Sequence, residues 1–217
     1  MVRRLNLPDS ASVAEPGDGG RMFAPSAARN ADYICDLVAT HAPATGRALE
    51  IASGTGQHMA ALAVRLVGLE WQPSDPDAVR RDSIDAHCAG LSNVRGAEDL
   101  DACAVGWGAA RGPFDVIVLV NLLHLISTPE AQVLISEVGA ALAPGGVFVL
   151  YGPFLRDGEA TSEGDARFDA QLRAQDPEIG YKDDWDVIDW IHGAGLELRH
   201  VVEMPANNLG IVAARPV

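Results

Sequence analysis

Short apolar runs alternate along this chain with longer segments whose apolar residues recur every three to four positions. The runs 48–52 (Ala-Leu-Glu-Ile-Ala), 69–72, 114–120 and 147–151 are compact and bounded by Gly, Pro, Asp or Asn, as strands buried on both faces are. A weaker run at 93–96 adds a short edge strand. Helical spacing fills the intervals at 25–41, where Ile34, Leu37 and Val38 share a face, and at 59–67, 78–88 and 131–142. Ser26 is placed to cap the first of these helices and Asp77 the third, and Pro144-Gly145-Gly146 stops the last. A further helix is predicted at 187–192. The chain then closes with two extended runs, 196–203 and 209–214, joined by too few residues for anything but an antiparallel hairpin. This pattern predicts an α/β, Rossmann-like fold: a seven-stranded, mostly parallel sheet with an antiparallel last strand and helices on both faces.

Outside that pattern lie two segments. Residues 1–20 carry Pro8, Pro16 and three glycines with no apolar period, which predicts a flexible arm ahead of a single domain at 21–217. Residues 155–184 are polar, with Phe168 and Leu172 at helical spacing, and read as an excursion over the active site. At 217 residues the chain has the size of one domain.

Charge narrows the partners. With 16 basic against 30 acidic residues the net charge is −14, and the arginines are scattered, so a phosphate backbone is repelled and nucleic acid is not an expected partner. The acidity serves solubility, or else an acidic docking surface. No apolar run approaches the ~20 residues of a membrane span, and no apolar core of a signal peptide follows Arg3-Arg4, so the chain reads as cytoplasmic with no membrane partner. Cys35, Cys88 and Cys103 are odd in number and widely spaced, which suggests neither a disulfide framework nor a metal site.

The chemistry is concentrated in Arg47-Ala-Leu-Glu-Ile-Ala-Ser-Gly-Thr-Gly-Gln-His58, a strand, a glycine turn and a helix start. Glycine at 54 and 56 lets a ligand lie on the backbone beside the helix-start N–H groups. A dinucleotide turn needs a third glycine, where this chain has Met59; a phosphate-binding P-loop needs a neighbouring lysine, and the only lysine is Lys182. What remains, Glu50-x-x-x-Gly54-x-Gly56, looks like the first motif of class I S-adenosylmethionine-dependent methyltransferases. Glu50, Ala52, Gly54 and Gly56 are therefore candidate cofactor contacts. His58 is a further contact rather than a base, because the helix-start partial charge of about +0.5 disfavours its protonated form.

Asp75, at the end of the next strand, is the candidate for the ribose hydroxyls, with Asp77 its close competitor. Asp101 is chosen for the adenine amino group from the cluster Glu98, Asp99 and Asp101. Arg29 and Asn30 could lie across the methionyl carboxylate, the guanidinium pairing with it bidentately; the competing reading of Arg29 is a surface arginine. Asn121 and His124 follow the 114–120 strand, at the carboxyl edge where ligands of open α/β sheets bind. His124 is the candidate general base or acceptor-positioning group, against the alternative of a hydrogen-bonded structural imidazole.

Several words of the chain resemble one family, the domain-of-unknown-function family 938, to which methyltransferase-like protein 26 belongs. They are Ser26-Ala-Ala-Arg-Asn30, Leu49-Glu-Ile-Ala-Ser-Gly-Thr-Gly-Gln-His58, Trp71-Gln-Pro-Ser-Asp75, Leu150-Tyr-Gly-Pro-Phe154, Phe168-Asp169, Leu172-Arg173, Asp176-Pro177 and Val202-Glu-Met-Pro-Ala-Asn-Asn208. The resemblance implies the class I fold and S-adenosyl-L-methionine as cofactor. It also supports Arg29, Asn30, Asn121 and Asn207 as pocket residues, with Tyr151, Phe154 and Asn207 on the acceptor side. Two departures fall there: His124-Leu-Ile-Ser-Thr-Pro129 lacks the tryptophan expected after His-Ile-Ser-Pro, and Gly164-Asp165 stands for a Ser-Asn pair. The resulting expectation is methyl transfer to a small-molecule acceptor. The rival readings are a non-catalytic cofactor-binding protein and a nicotinamide-dependent oxidoreductase.

Overall fold

The computed structural model describes residues 14–217. Its elements run β1 (Glu15–Pro16), β2 (Met22–Phe23), α1 (Pro25–His41), β3 (Gly46–Ile51), α2 (Gln57–Arg65), β4 (Leu69–Pro73), α3 (Ala78–Cys88), α4 (Trp107–Arg111) and β5 (Phe114–Val120). There follow α5 (Thr128–Ala141), β6 (Leu142–Pro153), α6 (Glu163–Gln175), α7 (Asp184–Gly193), β7 (Glu197–Glu203) and β8 (Asn208–Ala214). Six strands form one sheet in the order β4-β3-β5-β6-β8-β7, with β4, β3, β5 and β6 parallel and β8 antiparallel to both neighbours. The seventh expected strand is an interrupted edge beside β4, paired in parallel only at Trp71 with Val94 and at Ser74 with Glu98.

Alternation along the strands sorts the core. In β5, Val116 and Val118 face the layer of α1, α2 and α3, whereas Ile117 and Leu119 face the layer of α5 and α7. Because both faces are covered, the run reads as continuously apolar. Each fully buried aliphatic side chain here contributes roughly 1.5–3 kcal/mol. A third, smaller cluster of Leu172, Ile179 and Tyr181, with Phe168, Leu125 and Leu155 against it, seats α6.

Local signals set the boundaries. Asp77 caps α3, accepting from Val79 N at 2.8 Å, and Ser127 with Glu130 forms a capping box at α5. The first helix differs from expectation: its N-cap is Ala24 and not Ser26, because Pro25 already occupies the first helical position. The β7–β8 hairpin turns on Ala206 and Asn207, both left-handed (φ 57° and 59°), the pair a type I′ turn needs. Of the arm expected at 1–20, residues 1–13 lie outside the described residues. The remainder forms the β1–β2 ribbon, tied to α3 by Met22 N donating to Ser83 Oγ at 2.8 Å and Arg21 Nε donating to Ala86 O at 3.0 Å. Its polar, glycine-rich composition hid this pairing, which rests on contacts distant in sequence. Among the described residues no helix is long and apolar enough to cross a membrane.

Candidate functional site

At the carboxyl ends of β3, β5 and β6 lies a cavity of about 340 Å³. Its floor is the backbone that follows the strands: Ala52, Ser53, Gly54 and Thr55 after β3, and Asn121 and Leu122 after β5. Two of these residues, Ala52 and Asn121, are left-handed without being glycine (φ 53° and 55°), a strain that concentrates where chains bind ligands. Gly56 caps α2 at φ 90°, and a Cβ there would stand 2.6 Å from Ile84 Cα, so only glycine lets α2 and α3 meet at this turn.

Glu50 projects from β3 into this cavity and is 1% exposed. Its Oε2 has no hydrogen-bond partner among the described residues. Burial pushes its carboxyl up to about 8, against a smaller lowering by the Ser53 hydroxyl. A buried acid with a free oxygen beside open space is matched to a cationic donor.

Asp75 is buried next to the turn and does not line the cavity. Its Oδ2 accepts from Gly54 N at 3.1 Å and its Oδ1 from Asp77 N at 3.0 Å, so it braces the glycine turn. Burial raises its pKa against the lowering effect of those bonds and of Arg80. His58 lines the cavity, and burial takes its imidazole down to about 4. Its Nε2 lies 2.7 Å from Asn30 Oδ1. Asn30 also bonds the Tyr151 hydroxyl in the sense that lowers that phenol's pKa, as an amide donor does. The asparagine oxygen is then left to accept from His58 Nε2–H, which fixes the tautomer. Asn30 thus stands behind His58 rather than in the cavity.

The same cavity is lined by His124, Phe168 and Tyr181, with ring centroids 5.9–6.1 Å apart, and by Asp165. His124 is 7% exposed, and burial together with the nearby Lys182 ammonium takes its imidazole down to about 3. Lys182, itself buried, donates to Ile126 O and Gly180 O, both at 2.8 Å, and ties the excursion to the loop after β5.

Of the residues expected from sequence, the cavity brings together Glu50, Ala52, Gly54, His58, Asn121 and His124. The others fall elsewhere. Arg29 is exposed on α1 and does not reach the cavity. Asp101 lies on a separate depression with Trp107 and Arg111, its Oδ1 accepting from Cys103 N at 3.0 Å. Tyr151 and Phe154 are 2% exposed and belong to the two core layers, because the pleat at the end of β6 turns both inward. Asn207 sits exposed at the hairpin tip, where its Nδ2 donates to Asp165 Oδ2 at 2.9 Å; its neighbours Ala206 and Asn208 line the cavity instead.

Phe168, Tyr181 and Arg80 line the cavity without having been singled out for it, and so does Asp165, which stood only as a departure from the family's pattern on the acceptor side. One signal was available: Ser162-x-x-Asp165 is a helix-start pattern, and Asp165 N does donate to Ser162 Oγ, marking where α6 would aim its first turn.

Comparison with known proteins agrees with this architecture. An O-methyltransferase family protein from Burkholderia thailandensis superposes with a TM-score of 0.74 at 19% identity, covering 88% of this chain and 56% of its own. Human N-acetylserotonin methyltransferase, in a complex with SAM, gives 0.73 at 12% identity, with 88% and 53% covered. An O-methyltransferase family 2 protein from Planctomyces limnophilus, in a complex with apigenin, gives 0.71 at 19% identity, with 88% and 60% covered. The chain spans little more than half the length of these proteins, and at such identities they establish the Rossmann-like methyltransferase fold. The family described as "Protein of unknown function (DUF938)" matches residues 21–215, and the chain belongs to it.

Proposed function

We propose that this chain is an S-adenosylmethionine-dependent methyltransferase that acts on a small-molecule acceptor. The observation that carries the reading is the free, buried oxygen of Glu50 in the cavity over the glycine turn, where a methionyl ammonium would complete it. When bound, the cofactor supplies an activated methyl group on a sulfonium. The chain's own residues do the rest. Gly54 and Ala52 present backbone to the ligand, and Asp75, accepting from Gly54 N and Asp77 N, holds that backbone in shape. His58, locked by Asn30, offers Nδ1 as an acceptor at the helix start. The human and Planctomyces proteins, whose complexes hold SAM and apigenin, support the choice of cofactor and of a small acceptor.

His124 acts here as a neutral hydrogen-bonding group. An imidazole with a pKa of about 3 is unprotonated at neutral pH and a weak base, so rate enhancement rests on alignment of the acceptor more than on proton removal. Met59, at the position of a dinucleotide motif's third glycine, is fully buried under the α1 layer, which opposes the nicotinamide reading.

Calorimetric titration with S-adenosylhomocysteine tests the proposal. Wild-type protein should bind it, and Asp75→Ala should not. A wild type that binds a nicotinamide cofactor and has no affinity for S-adenosylhomocysteine would overturn it.

A further inference from the structure

The wall of the cavity that the 155–184 segment contributes, with the loop after β5, has a chemical character of its own. Phe168, Tyr181 and His124 give it three rings, and Leu122, Leu125 and Pro153 complete its apolar lining. The carboxylate on that wall is Asp165. Its Oδ2 accepts from Ser162 Oγ at 2.5 Å, Thr161 Oγ1 at 2.9 Å and Asn207 Nδ2 at 2.9 Å, and its Oδ1 accepts from the Tyr181 hydroxyl at 3.3 Å. All four donors are neutral. Burial alone would raise this carboxyl, but the four bonds together hold it below the usual carboxylate range, so it is anionic at neutral pH.

No ion pair among the described residues includes Asp165. None of the basic groups nearby pairs with it. Arg173 pairs with Asp169 at 2.8 Å and Lys182 is held by two carbonyls outside the cavity lining; the basic side chain that does line the cavity, Arg80, lies beside Gly54 and makes no ion pair with Asp165. His124 carries no charge at neutral pH. A full negative charge held by neutral donors beside aromatic rings is the arrangement that receives an organic cation, the ammonium at the carboxylate and against the ring faces. The net charge of −14 draws cations toward the protein and repels acids.

We propose that the acceptor is a small organic cation, a protonated amine on an apolar, planar body, with its ammonium at Asp165 and its body against Phe168 and Tyr181. This rests on the methyltransferase reading, which gives the Glu50 end to the cofactor and the Asp165 end to the acceptor. The ammonium is the handle and not the nucleophile, since a protonated amine has no lone pair to attack with. The methylated atom is therefore a second group on the same molecule.

Matched probes of opposite charge test this. Tyramine with 4-hydroxyphenylacetate, and tryptamine with indole-3-acetate, share a ring body and differ in the ionised group. Each would be titrated calorimetrically into the full chain, with and without S-adenosylhomocysteine, for wild type, Asp165→Asn and Phe168→Leu. The amines should bind wild type about tenfold or more tightly than the matched acids. Asp165→Asn should weaken the amines about tenfold or more while leaving the acids unchanged or improved, and Phe168→Leu should weaken the amines with no gain for the acids.

A purely structural role of Asp165 in capping α6 would instead weaken both classes alike, and that result overturns the proposal. So does acid binding to wild type as tight as amine binding, or an absence of amine binding at millimolar concentration. If Asp165→Asn fails to fold, the wild-type preference and Phe168→Leu still decide. S-adenosylhomocysteine binding without amine binding sinks this inference alone. Asp165-dependent amine binding without any affinity for S-adenosylhomocysteine sinks the methyltransferase reading and leaves the amine site standing.

Discussion

Glu50→Gln separates the cost of a buried acid from its use. A glutamate whose carboxyl moves from 4.5 to about 8 on folding favours the protonated folded state. Its stabilising contribution is complete below the ordinary value and is lost as pH rises through the folded one. Integrated to pH 7, that difference destabilises the ligand-free protein by about 3 kcal/mol relative to a neutral group at the same site. The glutamine side chain keeps the shape and removes the titration. The variant should therefore unfold at higher urea than wild type at pH 7, and the gap should shrink as pH falls toward 5. Cofactor binding should move the other way. Pairing Glu50 with an ammonium requires the anion, so wild type should release close to one proton on binding S-adenosylhomocysteine at pH 7, seen as a dependence of the calorimetric enthalpy on buffer ionisation. Truncating one partner of a buried charge pair costs about 2–5 kcal/mol, so the variant should lose at least about thirtyfold in affinity. A variant that binds as tightly as wild type, or a wild type that binds with no proton release, would refute the assignment of Glu50 to the ammonium.

Three further outcomes follow from the same geometry. Gly56→Ala puts a Cβ 2.6 Å from Ile84 Cα on a left-handed residue, and should destabilise the fold by about 2–4 kcal/mol in urea titration; an unchanged midpoint would contradict the contact. The cavity histidines, His124 at about 3 and His58 at about 4, should show no imidazole titration between pH 5 and 8 by NMR, and replacing His124 with Asn should leave the shape of any pH–rate profile in that range unchanged. Ser127→Ala breaks the capping box of α5 and should cost about 1 kcal/mol, read as a lowered thermal midpoint with cofactor affinity retained.

The parts of this molecule legible in its sequence are those fixed by backbone. The buried strands β3, β5 and β6 each show a mostly apolar run because both faces are covered, and the turn after β3 shows through Gly54 and Gly56 because few other residues fit there. Asn121 and His124 were legible for the same reason, being the first residues past a strand end. Side chains that depend on which way a pleat turns were not. Tyr151 and Phe154 follow a strand into the expected region, yet one residue of phase decides between cavity and core, and both turn to the core. Arg29 shares a helix with buried Ile34 and Val38, but its own position falls on the solvent side. Asp101 was one of three acids in four positions, and its Asx turn onto Cys103 N could not be read without coordinates.

The excursion was legible as a cover over the site but not in its contacts, and the reason bears on how such a site changes. Its hold on the fold runs through Lys182 to Ile126 O, Gly180 N to His124 O, Arg156 to Glu203, and Asn207 to Asp165. None of these bonds reaches the turn at 52–58 that forms the cavity floor. The two halves of the cavity are thus held by separate sets of bonds. The glycine turn is constrained by backbone geometry and by Asp75, so substitutions there disturb folding and cofactor together. Asp165, Phe168 and Tyr181 belong to a polar segment with a small satellite core, where a changed side chain alters what the wall recognises without loosening the sheet. On the proposed assignment, a chain built this way exchanges one acceptor for another by substitutions within 155–184 alone, and the carboxylate at Asp165 is the residue on which that exchange would turn first.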